Sequence, residues 1–335
     1  MKKCLVPLLL CACLVLSLAS CASDRDYPTR PVQLVIPFSA GNASDIFARH
    51  YAGIASKYLG QAIQCSNISG NFTQEAVAYV YEQPADGYTL LEVTPTLLLS
   101  ELRLSSDAAK KREAAGKPII TDTIFFRDEF DPLLKVQSDI QLFGVAVDGP
   151  FKTIETLIAH AKENPGKVTI GGISPGGLDE FIARGFAEAA GIEWKYVPFA
   201  SSDKALEALK KGEIDVYQDK MLRFLPRLEA NEMKALVVLH DERIDVDCLR
   251  DCPSSTEKGI AFTRGSWRGF VVKKGTPPAI KTKLIESLKK AYEDPAYVAL
   301  AKRYKTDIRS HILEGDAWRA EWDAEYAAMK RLFEQ

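Results

Sequence analysis

The chain has 335 residues, enough for two domains of ordinary size, and its 47% hydrophobic and 26% charged content is that of a globular protein. A formal net charge of -2 provides no basic field for nucleic acid. The four histidines (His50, His160, His240, His311) are far apart and none has metal-site spacing; Gly-x-Ser-x-Gly, His-Glu-x-x-His and Walker patterns are also missing, so no catalytic residue, metal or cofactor is expected.

Met1-Lys2-Lys3 is a positive n-region, and Cys4 to Leu18 is an apolar h-region too short for a comfortable membrane span. Leu18-Ala19-Ser20-Cys21 then matches the lipobox of bacterial lipoproteins, in which the cysteine becomes the lipidated first residue. Residues 1–20 are read as a lipoprotein signal peptide and 21–26 as the lipidated Cys21 and its tether. The alternative is a plain secretory signal cut nearby. Either way the expectation is export to the periplasm or cell envelope, with a lipid anchor on the membrane in the first case. Of seven cysteines, Cys65, Cys248 and Cys252 remain in the exported domain. An oxidising compartment suits a small Cys248–Cys252 disulfide loop, with a pair to Cys65 as the other option.

Pro31 to Phe38 reads as a buried strand, Ser39-Ala40-Gly41-Asn42 as a turn, and the stretch from Ser44 or Asp45 as a capped helix. Such a turn aims backbone N–H groups and the positive helix end at one point, which suits an anion; an ordinary capped turn is the plainer reading. Gly60 to Cys65 is a strand, 67–73 a polar loop, Gln74 to Glu82 a helix, Thr89 to Val93 a strand and Thr94-Pro95-Thr96 its exit. This βαβαβ order begins a doubly wound sheet. The run Ser105 to Glu113 reads as a solvated helical excursion. Strands are expected at 141–147, 168–171, 195–198, 214–217 and 269–273, with helices opening near Thr153, Asp179, Lys204, Pro278 and Ala296. The Gly-rich loop before Asp179 again suits an anion, but Asp179 and Glu180 either cap their helix or prefer an amine on the solute.

Tyr27 to Arg49 (YPTRPVQLVIPFSAGNASDIFAR) resembles the opening of the solute-binding receptors of tripartite tricarboxylate transporters, the Bug-type receptors. Ala85-Asp86-Gly87-Tyr88-Thr89-Leu90-Leu91, Ala161 to Thr169, Tyr196-Val197-Pro198-Phe199, Gly212-Glu213-Ile214-Asp215, Ala235 to Val238 and Gly269 to Pro277 follow in family order. The resemblance implies an α/β fold of the type II periplasmic binding protein, two doubly wound lobes joined by two hinge strands. Lobe 1 would comprise 27–144 and 269–335, and lobe 2 would comprise 145–268. The crossings are placed near Phe143–Val147 and Arg268–Val272. The family's second loop glycine is Asn42 here, and the loops after 67, 94 and 174 depart from its pattern, which points away from a tricarboxylate.

The implied function is capture of a small organic acid, with an amino or other polar group on it left open, in the cleft between lobes. The resemblance also implies delivery to a membrane permease with one large and one small subunit. A ligand sensor for a kinase and a binding-dead envelope scaffold are the alternatives. Strand-end loops supply the expected ligand contacts: Ser39, Ala40, Gly41, Asn42, Ala43, Ser44, Asp45, Asn67, Ser69, Asn71 and Thr94. From the second lobe come Ser174, Gly176, Gly177, Asp179, Ser201, Ser202 and Asp219.

Overall fold

Proline at 31 and 37 brackets the apolar, β-branched run that becomes the first strand, β1 (Val32–Ile36), in a computed structural model that describes residues 27–104, 124, 126–173, 175–309 and 312–334. Cys21 with its leader, the run 105–113 and Ser174 fall outside the described residues. After β1 come α1 (Ala43–Leu59), β2 (Ile63–Asn67), α2 (Gln74–Glu82), β3 (Thr89–Val93), α3 (Pro95–Leu104) and the short α4 (Phe126–Glu129). β4 (Phe130–Ser138), β5 (Gln141–Val145), α5 (Ile154–Glu163), β6 (Thr169–Ile173), α6 (Leu178–Ala190) and β7 (Lys195–Phe199) follow. The chain continues through α7 (Ser202–Lys210), β8 (Val216–Lys220), α8 (Met221–Glu229), β9 (Lys234–Val238) and β10 (Trp267–Lys273). It closes with α9 (Pro278–Glu293), α10 (Pro295–Tyr304), β11 (Leu313–Glu314) and α11 (Gly315–Glu334).

The strands form two mixed sheets, ordered β11-β4-β10-β3-β1-β2 and β7-β6-β8-β5-β9. Pairing of β1 with β2 and β3 is parallel, as is that of β6 with β7 and β8, whereas β5 runs antiparallel to β8 and β9. The described residues divide into two compact units. Unit 1 lies within 1–92, 127–133 and 270–294, and unit 2 within 93–126, 134–269 and 295–335. No helix among the described residues is long and apolar enough to cross a membrane.

In unit 1, α1 presents Phe47, Ala48, Tyr51, Ala52 and Ala55 to the core at helical spacing. Phe47 stacks with Phe270, Tyr51 meets the same ring at a tilt, and Tyr51 Oη donates to the Leu288 carbonyl at 2.7 Å, so the opening helix is fixed to the returning chain. Tyr27 Oη donates to the Gly87 carbonyl at 2.7 Å, and its ring meets Tyr88 edge-on. The Tyr-Pro opening and the Asp-Gly-Tyr turn are therefore one packed corner.

In unit 2, Trp318 and Trp322 of α11 are fully buried with Phe126 and Trp267. Buried Lys135 of β4 reaches Glu321 of α11 at 2.7 Å, and Trp267 Nε1 donates to Glu325 at 2.5 Å. These pairings explain why β4 and α11 carry charges on buried faces. Thr94 does not lead into a loop: its Oγ1 accepts from Thr96 N and the chain turns straight into α3. The expected Cys248–Cys252 disulfide is not formed. Cys65, Cys248 and Cys252 are free thiols, and Cys252 is buried in the apolar cluster around Leu249 and Val238 while Cys248 is only half-buried. Burial pushes the Cys252 thiol up to about 12, so it behaves as a small core residue.

Arg268 and Asp139 form a buried ion pair at 3.0 Å. Burial alone would raise the Asp139 pKa, but Arg268 and then Lys220 overcome it and hold the carboxyl at about 2. That stability is present above the unfolded carboxyl pKa and is lost as pH falls through the folded value. Asp139→Asn should cost about 3 kcal/mol at neutral pH, since it strands a buried guanidinium. Urea unfolding should show the deficit shrinking as pH drops from about 4 toward 2; a deficit independent of pH would contradict the assignment.

Candidate functional site

Parallel strands end on the same side of their sheet, so the loops that leave β1 and β2 in unit 1 meet, as do those leaving β6, β7 and β8 in unit 2. Helices start from these loops with unsatisfied N–H groups.

In unit 1 the loop from Pro37 to Asn42 turns at Gly41, whose φ of +83° lies in the left-handed region that favours glycine. Gly41 N donates to Asp45 Oδ2 at 2.9 Å. Asp45 Oδ1 accepts from Arg49 Nε and Asn67 Nδ2, each at 2.8 Å. Asn67 also donates to the Phe38 carbonyl and accepts from Arg49 Nη2 at 2.6 Å. Burial works to raise the Asp45 pKa, yet the Gly41 N–H, Asn67 and Arg49 together hold it below the usual range. Neither Ser44 nor Asp45 is the helix cap: Asn42 is, its Oδ1 accepting from Asp45 N at 2.9 Å. Asn42 thus fills the place of a family glycine with a capping side chain.

This arrangement holds the loop open from beneath. Ser39, Ala40 and Ala43 are exposed, and among the described residues no backbone acceptor takes their N–H groups. They lie at the start of a 17-residue helix, where an anion is favoured by the helix dipole and by free donors together. Beyond Asn67, Ser69 and Asn71 are exposed on the neighbouring loop. There Asn71, Phe72 and Thr73 are all left-handed (φ +44°, +53° and +75°), a costly run for side-chain-bearing residues.

Unit 2 repeats the device. Gly176, at φ +63°, donates its N–H to Glu180 Oε2 at 2.6 Å, and Glu180 Oε1 accepts from Arg184 Nε at 2.9 Å. The spacing is the same in both: glycine, acid four residues on, arginine four further. The sequences align as Ser39-Ala-Gly-Asn-Ala-Ser-Asp-Ile-Phe-Ala-Arg49 and Ser174-Pro-Gly-Gly-Leu-Asp-Glu-Phe-Ile-Ala-Arg184. This internal match was available to sequence reasoning and marks Arg49, Glu180 and Arg184 as parts of the loop structure.

Gly177 starts α6 with no side-chain cap, so Asp179 and Glu180 do not cap it. Asp179 instead accepts from Ile173 N through Oδ2 at 2.8 Å. The Asp179 carboxyl is pushed up to about 7: burial is the main cause, with Asp219 adding to it, against the Ile173 N–H and Lys220. Gln218 and Tyr196 close the surroundings, Gln218 Nε2 donating to the Asp179 carbonyl at 2.6 Å and Tyr196 Oη to the Ile173 carbonyl at 2.8 Å. A Cβ on Gly172 would lie within 3 Å of Gln218, Asp179 and Tyr196, so this cluster is built against bare backbone. Asp219 accepts from Tyr217 Oη at 2.6 Å and from Lys220 N at 2.7 Å. Ser201 caps α7, accepting from Lys204 N, with half-buried Ser202 beside it. Asp215, by contrast, is a strand clamp, bonded to Thr169 N and Oγ1 at 2.8 Å.

Within unit 2 the structure brings Gly176, Gly177, Asp179 and Asp219 to one loop cluster. Thr94 lies apart from it, at the other end of α3 from Arg103, roughly 14 Å along a helix of that length. Arg103 itself, unmarked in the sequence, donates to the Pro175 carbonyl at 2.6 Å. No group of three or more His, Cys, Asp or Glu suited to a metal occurs among the described residues.

Asp179 gives a stability test. Its folded pKa exceeds the unfolded value, so folding binds a proton between about pH 4 and 7 and the ionised form is the less stable one. Asp179→Asn should raise the melting temperature at about pH 8 by roughly 1.5 °C, the shift for about 1 kcal/mol in a protein of this size. The gain should vanish below about pH 4; equal melting of the two proteins at pH 8 would refute it.

The family model described as tripartite tricarboxylate transporter family receptor matches residues 109–311. A protein from the TAR-I ttuE-ttuC' intergenic region of Agrobacterium vitis is 31% identical over 278 residues, 82% of this chain and 75% of that one. A TctC solute-binding protein from Polaromonas superposes with a TM-score of 0.75 at 24% identity, over 92% of this chain and 99% of its own. An R. palustris protein solved with adipate superposes with a TM-score of 0.66 at 24% identity, over 92% and 97%. These two structures share the α/β binding-protein fold of this chain.

Proposed function

Because this chain belongs to the tripartite tricarboxylate transporter receptor family, whose members are receptors and not enzymes, we propose that it captures a small organic acid and presents it to a membrane permease of large and small subunits. The receptor is exported and held at the cell envelope by lipid on Cys21. The observation that carries the carboxylate reading is the Ser39–Ser44 loop. Its exposed Ser39, Ala40 and Ala43 N–H groups stand at the start of α1, and the Asp45–Arg49–Asn67 network fixes them.

Capture then needs no chemistry on the solute. A carboxylate at this loop replaces its water shell with donors already in place, and little entropy is lost because Asp45 has ordered the backbone beforehand. Arg49 is engaged by Asp45 and Asn67, so the anion is held by dipoles and not by a salt bridge. Such binding is firm enough for capture and leaves the acid free to depart. Ser69 and Asn71 on the adjacent loop of unit 1 are proposed to read the rest of the solute. The strain at Asn71–Thr73 supports this, since left-handed side-chain residues are kept where a loop has a task.

Thermal melting of the chain from Ala22 onward, against mono-, di- and tricarboxylates and amino acids, tests the proposal. A bound acid at about 100 times its dissociation constant should add roughly 2.7 kcal/mol. Gly41→Val leaves room for its side chain but strains the left-handed turn, and should lower affinity at least about tenfold. A cooperative melt that no acid shifts, or unchanged affinity in Gly41→Val, would sink the placement.

A further inference from the structure

A cavity of about 300 Å³ lies within unit 2, walled by β4, the segment 261–266 that leads into β10, Arg309 and α11. None of the described residues of the strand-end loops at Gly176, Ser201 and Asp219 lines it. Five polar side chains line it with donors unused. Ser138 and Ser266 are 7% and 6% exposed, and their hydroxyls, like that of Thr263, make no hydrogen bond among the described residues. The guanidiniums of Arg264 and Arg309 make neither a hydrogen bond nor an ion pair among the described residues.

The acids of the cavity are committed elsewhere. Both Glu321 oxygens accept from Lys135, at 2.8 and 2.7 Å. Glu325 accepts from Trp267 Nε1 at 2.5 Å. Burial is the main cause that pushes the Glu325 carboxyl up to about 7, with Glu321 adding to it, against Trp267, Arg264 and Lys135. Arg264 and Arg309 are close enough to act on one another. Burial chiefly lowers the Arg309 pKa and Arg264 adds to this, while Asp241, Glu321 and Glu325 oppose it. Bare backbone at Gly265 makes room for the arrangement: a Cβ there would meet the Asp139 carbonyl oxygen at 2.2 Å, with Arg309 Nη1 at 3.5 Å. With Lys135 matched by Glu321, two guanidiniums along the wall face one carboxylate that burial drives toward its neutral form. Idle buried donors are costly, and a polar cavity of this size does not stay dry. Water satisfies hydroxyls but brings no counter-charge, whereas a guanidinium fork matches the oxygens of an oxyanion in pairs.

We propose that this cavity is a second binding site, for a tetrahedral oxyanion: phosphate, or the phosphate group of a small ester, held by Arg264, Arg309 and the hydroxyls of Ser138, Thr263 and Ser266. Four oxygens give acceptors enough for two guanidinium forks and three hydroxyls, which a carboxylate, with about four lone-pair sites, does not. The site stands apart from the receptor reading above, because it is built from other residues and lies within one unit. The charged groups that face Glu325 are Lys135 from β4, Arg264 from the segment before β10, Arg309 from the segment before β11 and Glu321 from its own helix. Protonation of Glu325 removes a negative charge from beside the anion. Binding of sulfate, which stays a dianion throughout, should therefore tighten as pH falls through about 7.

The test is isothermal titration of the chain from Ala22 onward with sulfate, inorganic phosphate and glycerol 3-phosphate. One saturable site is expected, with sulfate held at least about threefold more tightly at about pH 6 than at about pH 8. Arg264→Gln and Arg309→Gln should each weaken sulfate binding at least about tenfold. Glu325→Gln keeps an acceptor for Trp267 and removes the charge, so it should bind sulfate at pH 8 as tightly as the unaltered protein does at pH 6. That variant carries the test even where an arginine variant fails to fold. Tighter binding of glycerol 3-phosphate than of inorganic phosphate assigns the site to a phosphate ester, and the reverse order assigns it to the free ion. The proposal is overturned by a cooperatively folded protein that binds none of the three anions, by sulfate affinity unchanged in both arginine variants, or by a pH dependence that survives in Glu325→Gln.

Discussion

A glycine bent into the left-handed region frees its loop to turn but cannot hold it there. In this protein a carboxylate four residues downstream takes the glycine N–H and is anchored by an arginine one helical turn beyond. Gly41–Asp45–Arg49 does this in unit 1 and Gly176–Glu180–Arg184 in unit 2. The donors around Ser39 to Ala43, and the placing of Asp179 beside Gln218, both depend on loops held in this way. The acid sits in the first turn of its helix, where the dipole already favours negative charge, so the brace adds to a preference the backbone supplies.

The same residue type meets opposite fates in the two units, through burial first and the partners each has second. Burial works against charge on both Asp45 and Asp179. Asp45 has an N–H, an amide and a guanidinium around it and stays ionised. Asp179 has one N–H and a neighbouring carboxylate, and is pushed up to about 7.

Elements with local signatures were legible in the chain alone. The strand at Thr89–Val93 and the helix at Gln74–Glu82 stand where their patterning put them, because turn residues bound both. β4 and α11 were not legible. A buried lysine in a strand, Lys135, looks solvated until Glu321 is brought to it across 186 residues of sequence. The buried face of α11 is likewise made of Trp318, Trp322 and Glu325, whose partners Trp267 and Phe126 lie far away in the chain. The Cys248–Cys252 spacing suggested a bond, but both are free thiols, Cys252 within an apolar cluster and half-buried Cys248 packed against it.

The sequence by itself determined the α/β order, the family and the loops that carry polar and glycine residues at strand ends, because these are written in short contiguous patterns. It left open whether each acid caps, braces or binds. Only the tertiary structure decided that Asn42 caps, that Asp45 and Glu180 brace, and that Asp179 accepts from Ile173 N beside a buried Gln218 whose Oε1 has no hydrogen-bond partner among the described residues. A carboxylate's role depends on which donors the fold delivers to it, and those donors come from strands and helices that only packing brings together.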